Sequence, residues 1–207
     1  MAYHAKKKTC FAAQRDRPDV AAERAAFAEA IGALDGSKLV FVDESGIRQG
    51  ERLSYGYAPS GQRCCETAPF RTGKRVNLLG WMSDRGGQVA QFTGSVTGEL
   101  FTRFVKYVLV PQLEPGDLVI WDNARIHMED AVELVRAAGA DVLPLPRYSP
   151  EFNAIEMLWS KVKQAVRSEM VDTAEQLADA VKRAVESVRS SDALGWVTHC
   201  GYHCQPP

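Results

Sequence analysis

What the chain lacks narrows the field first. No apolar run approaches the roughly 20 residues needed to span a bilayer, so no membrane segment is expected. Lys6 to Lys8 are not followed by the apolar stretch that a signal peptide carries. Neither sign of charge dominates: 25 Lys and Arg stand against 26 Asp and Glu, for a net charge of −1. With no global basic field, any contact with nucleic acid has to come from local patches. Cysteine is sparse and poorly arranged for cross-linking. There are five, and the adjacent pair Cys64-Cys65 suits neither a disulfide nor a zinc site. Reduced thiols and a cytoplasmic protein are the expectation. Gly73-Lys74 lacks the upstream glycine of a phosphate-binding loop. No internal repeat or low-complexity tract appears. What is there, 45% hydrophobic and 25% charged residues in 207, is the composition of an ordinary globular protein with one sizeable core.

Patterning gives an order of elements. Asp19 is expected to cap a helix running to about Leu34, closed by the Asp35-Gly36 turn. Residues 38–42 hold a buried strand ending at Asp43-Glu44. Residues 45–75 are polar and turn-rich, with one short hairpin strand at Ser54–Ala58. Residues 76–82 and 88–95 read as strands joined by a Ser-Asp-Arg-Gly-Gly hairpin. Thr97 opens a helix that stops before Pro111. Leu118 to Trp121 is a strand, Met128 to Ala138 a helix, and Val142 to Leu145 a further strand. A helix follows from Ile155, and Thr173-x-x-Gln176 is a capping box opening a last helix with Leu177, Val181, Ala184, Val185 and Val188 inward. An antiparallel hairpin joined to strands connected through helices predicts an α/β fold, a mixed sheet flanked by helices of the ribonuclease H-like kind.

Three acids stand out against this frame. Asp43 and Asp122 each follow an apolar strand, where open sheets place ligand groups. Glu156 lies on a helix stripe with Ser160, Lys163 and Arg167, beside the inward stripe of Leu158, Trp159, Val162 and Val166. If the two strands are neighbours and the helix folds back, the three carboxylates converge. Converging carboxylates repel and favour a divalent cation. Hard oxygen ligands suit Mg2+ or Mn2+ rather than zinc. Two such ions would serve phosphodiester cleavage, with Lys163 and Arg167 on flanking phosphates. A turn or capping aspartate and a solvated glutamate account for the same residues equally simply.

The strings LVFVDESG, LVIWDNARIH and LPRYSPEFNAIEMLWSKVK resemble the three signature blocks of DDE superfamily transposases, most closely the bacterial insertion-sequence branch of the mariner-like superfamily. The similarity extends from about Lys6 to Tyr202. It implies that Asp43, Asp122 and Glu156 are catalytic residues and metal ligands for two Mg2+ or Mn2+ ions. Residues 37–207 would form the ribonuclease H-like catalytic domain, preceded by an arm and helix over 1–36. The implied activity is DNA cleavage at element ends followed by strand transfer into target DNA. Relatives carry helix-turn-helix modules that nothing upstream of Asp43 supplies, which implies a separate or frameshift-fused DNA-reading partner. Pairing of two element ends implies a homodimer, acting in the cytoplasm at the nucleoid. Ala154 stands where the family usually has proline, a departure that removes no ligand. The alternatives are an inactive remnant that only binds DNA or its parent transposase, and a ribonuclease H-like nuclease without strand transfer.

Secondary candidates are Lys161, with Lys163 and Arg167, for DNA, and Asn123, His127 and Asn153 in support of the acids. His127 could orient a phosphate, whereas Asn123 and Asn153 are expected to hold turns. Tyr148 and Trp159 are expected to pack. Glu44 should face the opposite side of the sheet from Asp43. His199, Cys200, His203 and Cys204 form a dense cluster, but their spacing is too tight for a usual zinc site. Lys6, Lys7, Lys8, Arg15 and Arg17 fit either a solvated tail or a nucleic-acid contact.

Overall fold

The computed structural model describes residues 12–67, 73–122 and 129–203. Helix α1 (Pro18–Ile31) starts on proline with Asp19 in its first turn, so the chain enters it one residue before the aspartate expected to cap it. Strands β1 (Leu39–Arg48), β2 (Arg75–Ser83) and β3 (Gly86–Phe92) follow as an antiparallel meander. Helix α2 (Gly98–Phe104), capped by Thr97, continues through a π-helical turn (Val105–Leu109) and a short 3-10 turn (Val110–Gln112). Then come β4 (Leu118–Trp121), α3 (Glu129–Ala137) and β5 (Asp141–Pro144). Helices α4 (Ile155–Ser168), α5 (Ala174–Glu186) and α6 (Ser190–His199) close the chain.

The five strands form one mixed sheet in the order β3-β2-β1-β4-β5, with β1, β4 and β5 parallel. Alternation along β1 explains its central place. Leu39 and Phe41 enter a core shared with Ile120 and helices α1, α4, α5 and α6. Val40 and Val42 enter a second core with Val119, Trp121 and residues of α2 and α3. A strand buried on both faces needs helices on both, which is the arrangement the sequence predicts. Phe27 and Ile31 of α1 belong to the first core, as do Ala193 and Val197 of α6. At the end of the sheet where the β2–β3 turn lies, buried Asp117 accepts from Arg85 at 2.5 Å and from the Glu114 amide at 2.8 Å, tying that turn to the start of β4.

Several expectations are corrected. Asp43 does not end its strand, because β1 runs on to Arg48, its polar second half paired with β2 through Arg48↔Arg75. Ser54–Ala58 forms no strand: Tyr55 and Tyr57 are exposed, and among the described residues no strand pairs with them. The α-helix from Thr97 ends at Phe104 and its π-helical continuation at Leu109, before Pro111 as expected, and Pro111 falls in a separate 3-10 turn. The last helix is two helices, and Val188 falls between them while still packing on the core.

Candidate active site

The parallel ladder between β1 and β4 ends at Phe41↔Ile120. Asp43 lies two residues beyond this pair, still bonded to β2 opposite Gly80. Asp122 directly follows the last residue of β4. Two carboxylates thus stand side by side where the central strands part. Glu156 occupies the first turn of α4, which folds back over this end of the sheet. All three line one cleft of about 340 Å3 together with Leu145, Pro146, Arg147, Tyr148, Ser149, Pro150 and Asn153.

The cleft is acidic and partly desolvated, and the titration of its groups reflects both. Asp43 is pushed up from its usual 3.8 to about 7, chiefly by burial. The Glu44 amide opposes this, as does the Trp159 indole, while the charges of Glu156 and Asp122 reinforce it. Glu156 is raised by burial, against the pull of Lys163. Glu44 also rises to about 7, through burial and the charge of Asp122. Carboxylates that hold protons this tightly would release them to a hard divalent cation, so the donor chemistry fits Mg2+ or Mn2+. Among the described residues no three His, Cys, Asp or Glu side chains stand at mutual ligating distance. The acids share the cleft without forming a closed three-ligand shell.

One side chain holds Asp43 directly. The Trp159 indole, 1% exposed, donates from Nε1 to Asp43 Oδ2 at 3.1 Å. The ring fits because residue 80 has no side chain: a Cβ there would lie 2.8 Å from the indole edge. Trp159 does pack, as expected, yet its polar edge serves the site. The same letter in the sequence carries both roles, and only its position one turn after Glu156 hints at the second.

The other candidates separate. Lys163 faces Glu156 electrostatically. Lys161 instead donates to Asp192 at 2.7 Å and to the Ser187 carbonyl, and Arg167 donates to Glu51 at 2.9 Å. Both cations are thus paired within the fold, while their side chains keep about a third of their surface exposed. Asn123 and His127 lie outside the described residues. Asn153 holds the turn as expected, its amide donating to Pro150 O and its carbonyl accepting from the Glu156 amide. Its side chain is buried at the cleft, with Oδ1 lacking a hydrogen-bond partner. Tyr148, expected to pack, is exposed on the lip of the cleft with φ 56°. Glu44 lines a separate pocket with Ser45, Arg75 and Asn77. Of the C-terminal cluster, Cys200 is buried and its thiol raised to about 11 by burial, whereas His199 and His203 are exposed. They do not converge, and Cys204 lies outside the described residues.

Sequence reasoning missed the rest of the cleft wall, residues 145–150. These residues open the third signature block, LPRYSP, but no site role was read from them.

No curated protein matches the sequence. Solved structures share its fold. The mariner Mos1 paired end complex with Mg superposes with a TM-score of 0.78 at 16% identity, over 97% of this chain and 64% of that one. The Mos1 strand transfer complex gives 0.70 at 16% identity, over 95% of this chain and 62% of that one. The catalytic domain of Mos1 mariner transposase gives 0.62 at 12% identity, over 96% and 91%. This chain therefore spans under two thirds of the protein in the strand transfer complex and nearly all of the isolated catalytic domain. Its mixed sheet between helices is the ribonuclease H-like fold. The family model described as DDE superfamily endonuclease matches residues 38–178, over the strands and helices that carry all three acids. The chain belongs to the DDE superfamily of endonucleases.

Proposed function

We propose that this chain is the catalytic domain of an insertion-sequence transposase, cutting DNA at element ends and joining the freed ends to target DNA. The observation that carries the reading is the convergence of Asp43, Asp122 and Glu156 on one cleft from three separate elements. In this reading they are the catalytic acids and the ligands of two Mg2+ or Mn2+ ions. Solved relatives in fold include Mos1 complexes with Mg and with Mn, and with paired transposon ends, which supports both metal and DNA as partners. Bound there, such cations would supply an activated water and neutralise the departing oxygen.

The chain's own residues do the positioning. Trp159 fixes the Asp43 carboxylate by donating to one of its oxygens. Lys163 balances the charge of Glu156. Arg147, on the cleft wall, has its guanidinium fork engaged by Glu23 and Asp19 of α1, which fixes its place there. A helix-turn-helix subunit, separate or fused, would choose the DNA sequence, and two copies of the chain would bring two ends together.

The test is nicking of supercoiled plasmid in Mg2+ or Mn2+, then joining of a precleaved end in a strand-transfer assay. Nicking that disappears with Asp122→Asn supports the site. Nicking that persists in that variant refutes it, and nicking without joining reduces the activity to that of a nuclease.

A further inference from the structure

Helix α1 contributes no residue to the cleft lining, yet its polar side chains are spent on the cleft wall. Arg24, with a side chain only 12% exposed, donates from Nη1 to the Tyr148 carbonyl at 2.9 Å and to Ser149 Oγ at 2.7 Å. From Nη2 it donates to Glu151, and its guanidinium lies 5.7 Å from the centre of the Phe152 ring. Ser149 Oγ passes the chain of bonds on to the Arg147 carbonyl at 3.1 Å. Between these anchor points Tyr148 adopts φ 56°, the left-handed region that side-chain-bearing residues avoid. Such a conformation costs on the order of 1–3 kcal/mol and persists only where the surroundings over-determine it. Three bonds from one planar fork, to a carbonyl, a hydroxyl and a carboxylate, supply that determination. Earlier on the same helix, Asp19 and Glu23 accept from Arg147 at 2.9 and 2.7 Å.

We propose that Arg24 is a positioning residue: by pinning Tyr148 and Ser149 it holds the wall of the catalytic cleft in the shape that receives a DNA backbone. This rests on the cleft being the active site. The acids themselves need no such help, since Asp43 and Asp122 are carried by the sheet. Without the fork, Tyr148 relaxes out of the left-handed region and the wall shifts while the two aspartates stay.

The experiment compares the full chain with Arg24→Gln and Arg24→Lys. Hydrogen exchange is followed by mass spectrometry without DNA, and Mg2+-dependent plasmid nicking is measured at varied DNA and metal concentrations. Arg24→Gln should raise exchange across 145–153 by about tenfold or more, leaving 39–48 and 118–121 unchanged. Its nicking kcat should fall about ten- to a hundredfold, with the metal half-saturation point within about twofold of the original. Arg24→Lys, keeping the charge but not the fork, should recover part of both. Unchanged exchange across 145–153 overturns the proposal, as does a loosened wall with kcat intact. Exchange that rises evenly over the whole chain also overturns it, by making Arg24 a general fold residue. Asp122→Asn run alongside separates the two levels: nicking that survives it refutes the active-site reading, whereas the exchange result still decides what Arg24 holds.

Discussion

Replacing Asp43 with asparagine should stabilise this protein while abolishing its catalysis. The carboxyl holds its proton up to about pH 7 in the folded chain, against 3.8 ordinarily. A group that binds its proton more tightly when folded lends its stability fully below about pH 4 and loses it as the pH climbs through about 7. Above that point the folded chain carries a half-buried carboxylate beside Glu156 and Asp122. Asparagine has the same shape, can still accept from the Trp159 indole, and never ionises. At about 1.4 kcal/mol per pH unit over the interval where only the unfolded chain is ionised, the variant's advantage should grow by about 2 kcal/mol between pH 5.5 and pH 8. For a domain of this size that is about 4–8 °C in Tm. Urea and thermal melts in EDTA at the two pH values measure it, and plasmid nicking is followed in parallel. An advantage independent of pH, or a variant less stable at pH 8, would refute the claim that burial and neighbouring acids oppose this charge.

Three further outcomes are expected. Trp159→Phe keeps most of the packing but removes the donor to Asp43; urea melts should show a loss of about 1–3 kcal/mol and calorimetry a Mn2+ affinity weaker by about tenfold. Gly80→Ala forces a methyl against the indole edge and the Gln88 carbonyl, at 2.8 and 3.1 Å. It should cost about 1–3 kcal/mol in the same melts, and an unaltered midpoint would contradict the close approach. Lys163→Ala should lower the salt dependence of DNA binding by about one counterion in fluorescence anisotropy, whereas Lys161→Ala, already paired with Asp192, should leave the slope unchanged.

The sequence disclosed what is decided locally. Leu118 to Trp121 is a strand because a short apolar run followed by Asp122 has nowhere else to go, and Thr173 caps α5 through Gln176 as its spacing dictates. The second half of β1 was hidden because Ser45 and Gly46 have weak strand preference; their pairing with β2, some thirty residues away, makes them a strand. Tyr55 and Tyr57 have the preference and lack the partner. Helix α6 is short, contains Gly195 and shows little periodicity, so only packing of Ala193 and Val197 reveals it. In the cleft, the places of Asp122 and Glu156 were legible because a strand end and a helix face are local properties, whereas Asp43 lies in mid-strand. The fates of Lys161 and Arg167 were not, since one exposed helix stripe looks like another until Asp192 and Glu51 arrive from elsewhere. The hold of Arg24 on Tyr148 was equally invisible, spanning 124 positions of chain.

The three acids rest on unequal foundations. Asp43 is clamped by ladder bonds to β2, and Asp122 leaves the end of a strand wedged between two parallel neighbours. Glu156 sits on the opening turn of a helix, packed on the sheet by Ile155, Leu158 and Trp159 but not hydrogen-bonded into it. The gap between the aspartates is therefore a fixed gauge, and any tightening of the trio must come from the glutamate's end, like a vice with one moving jaw.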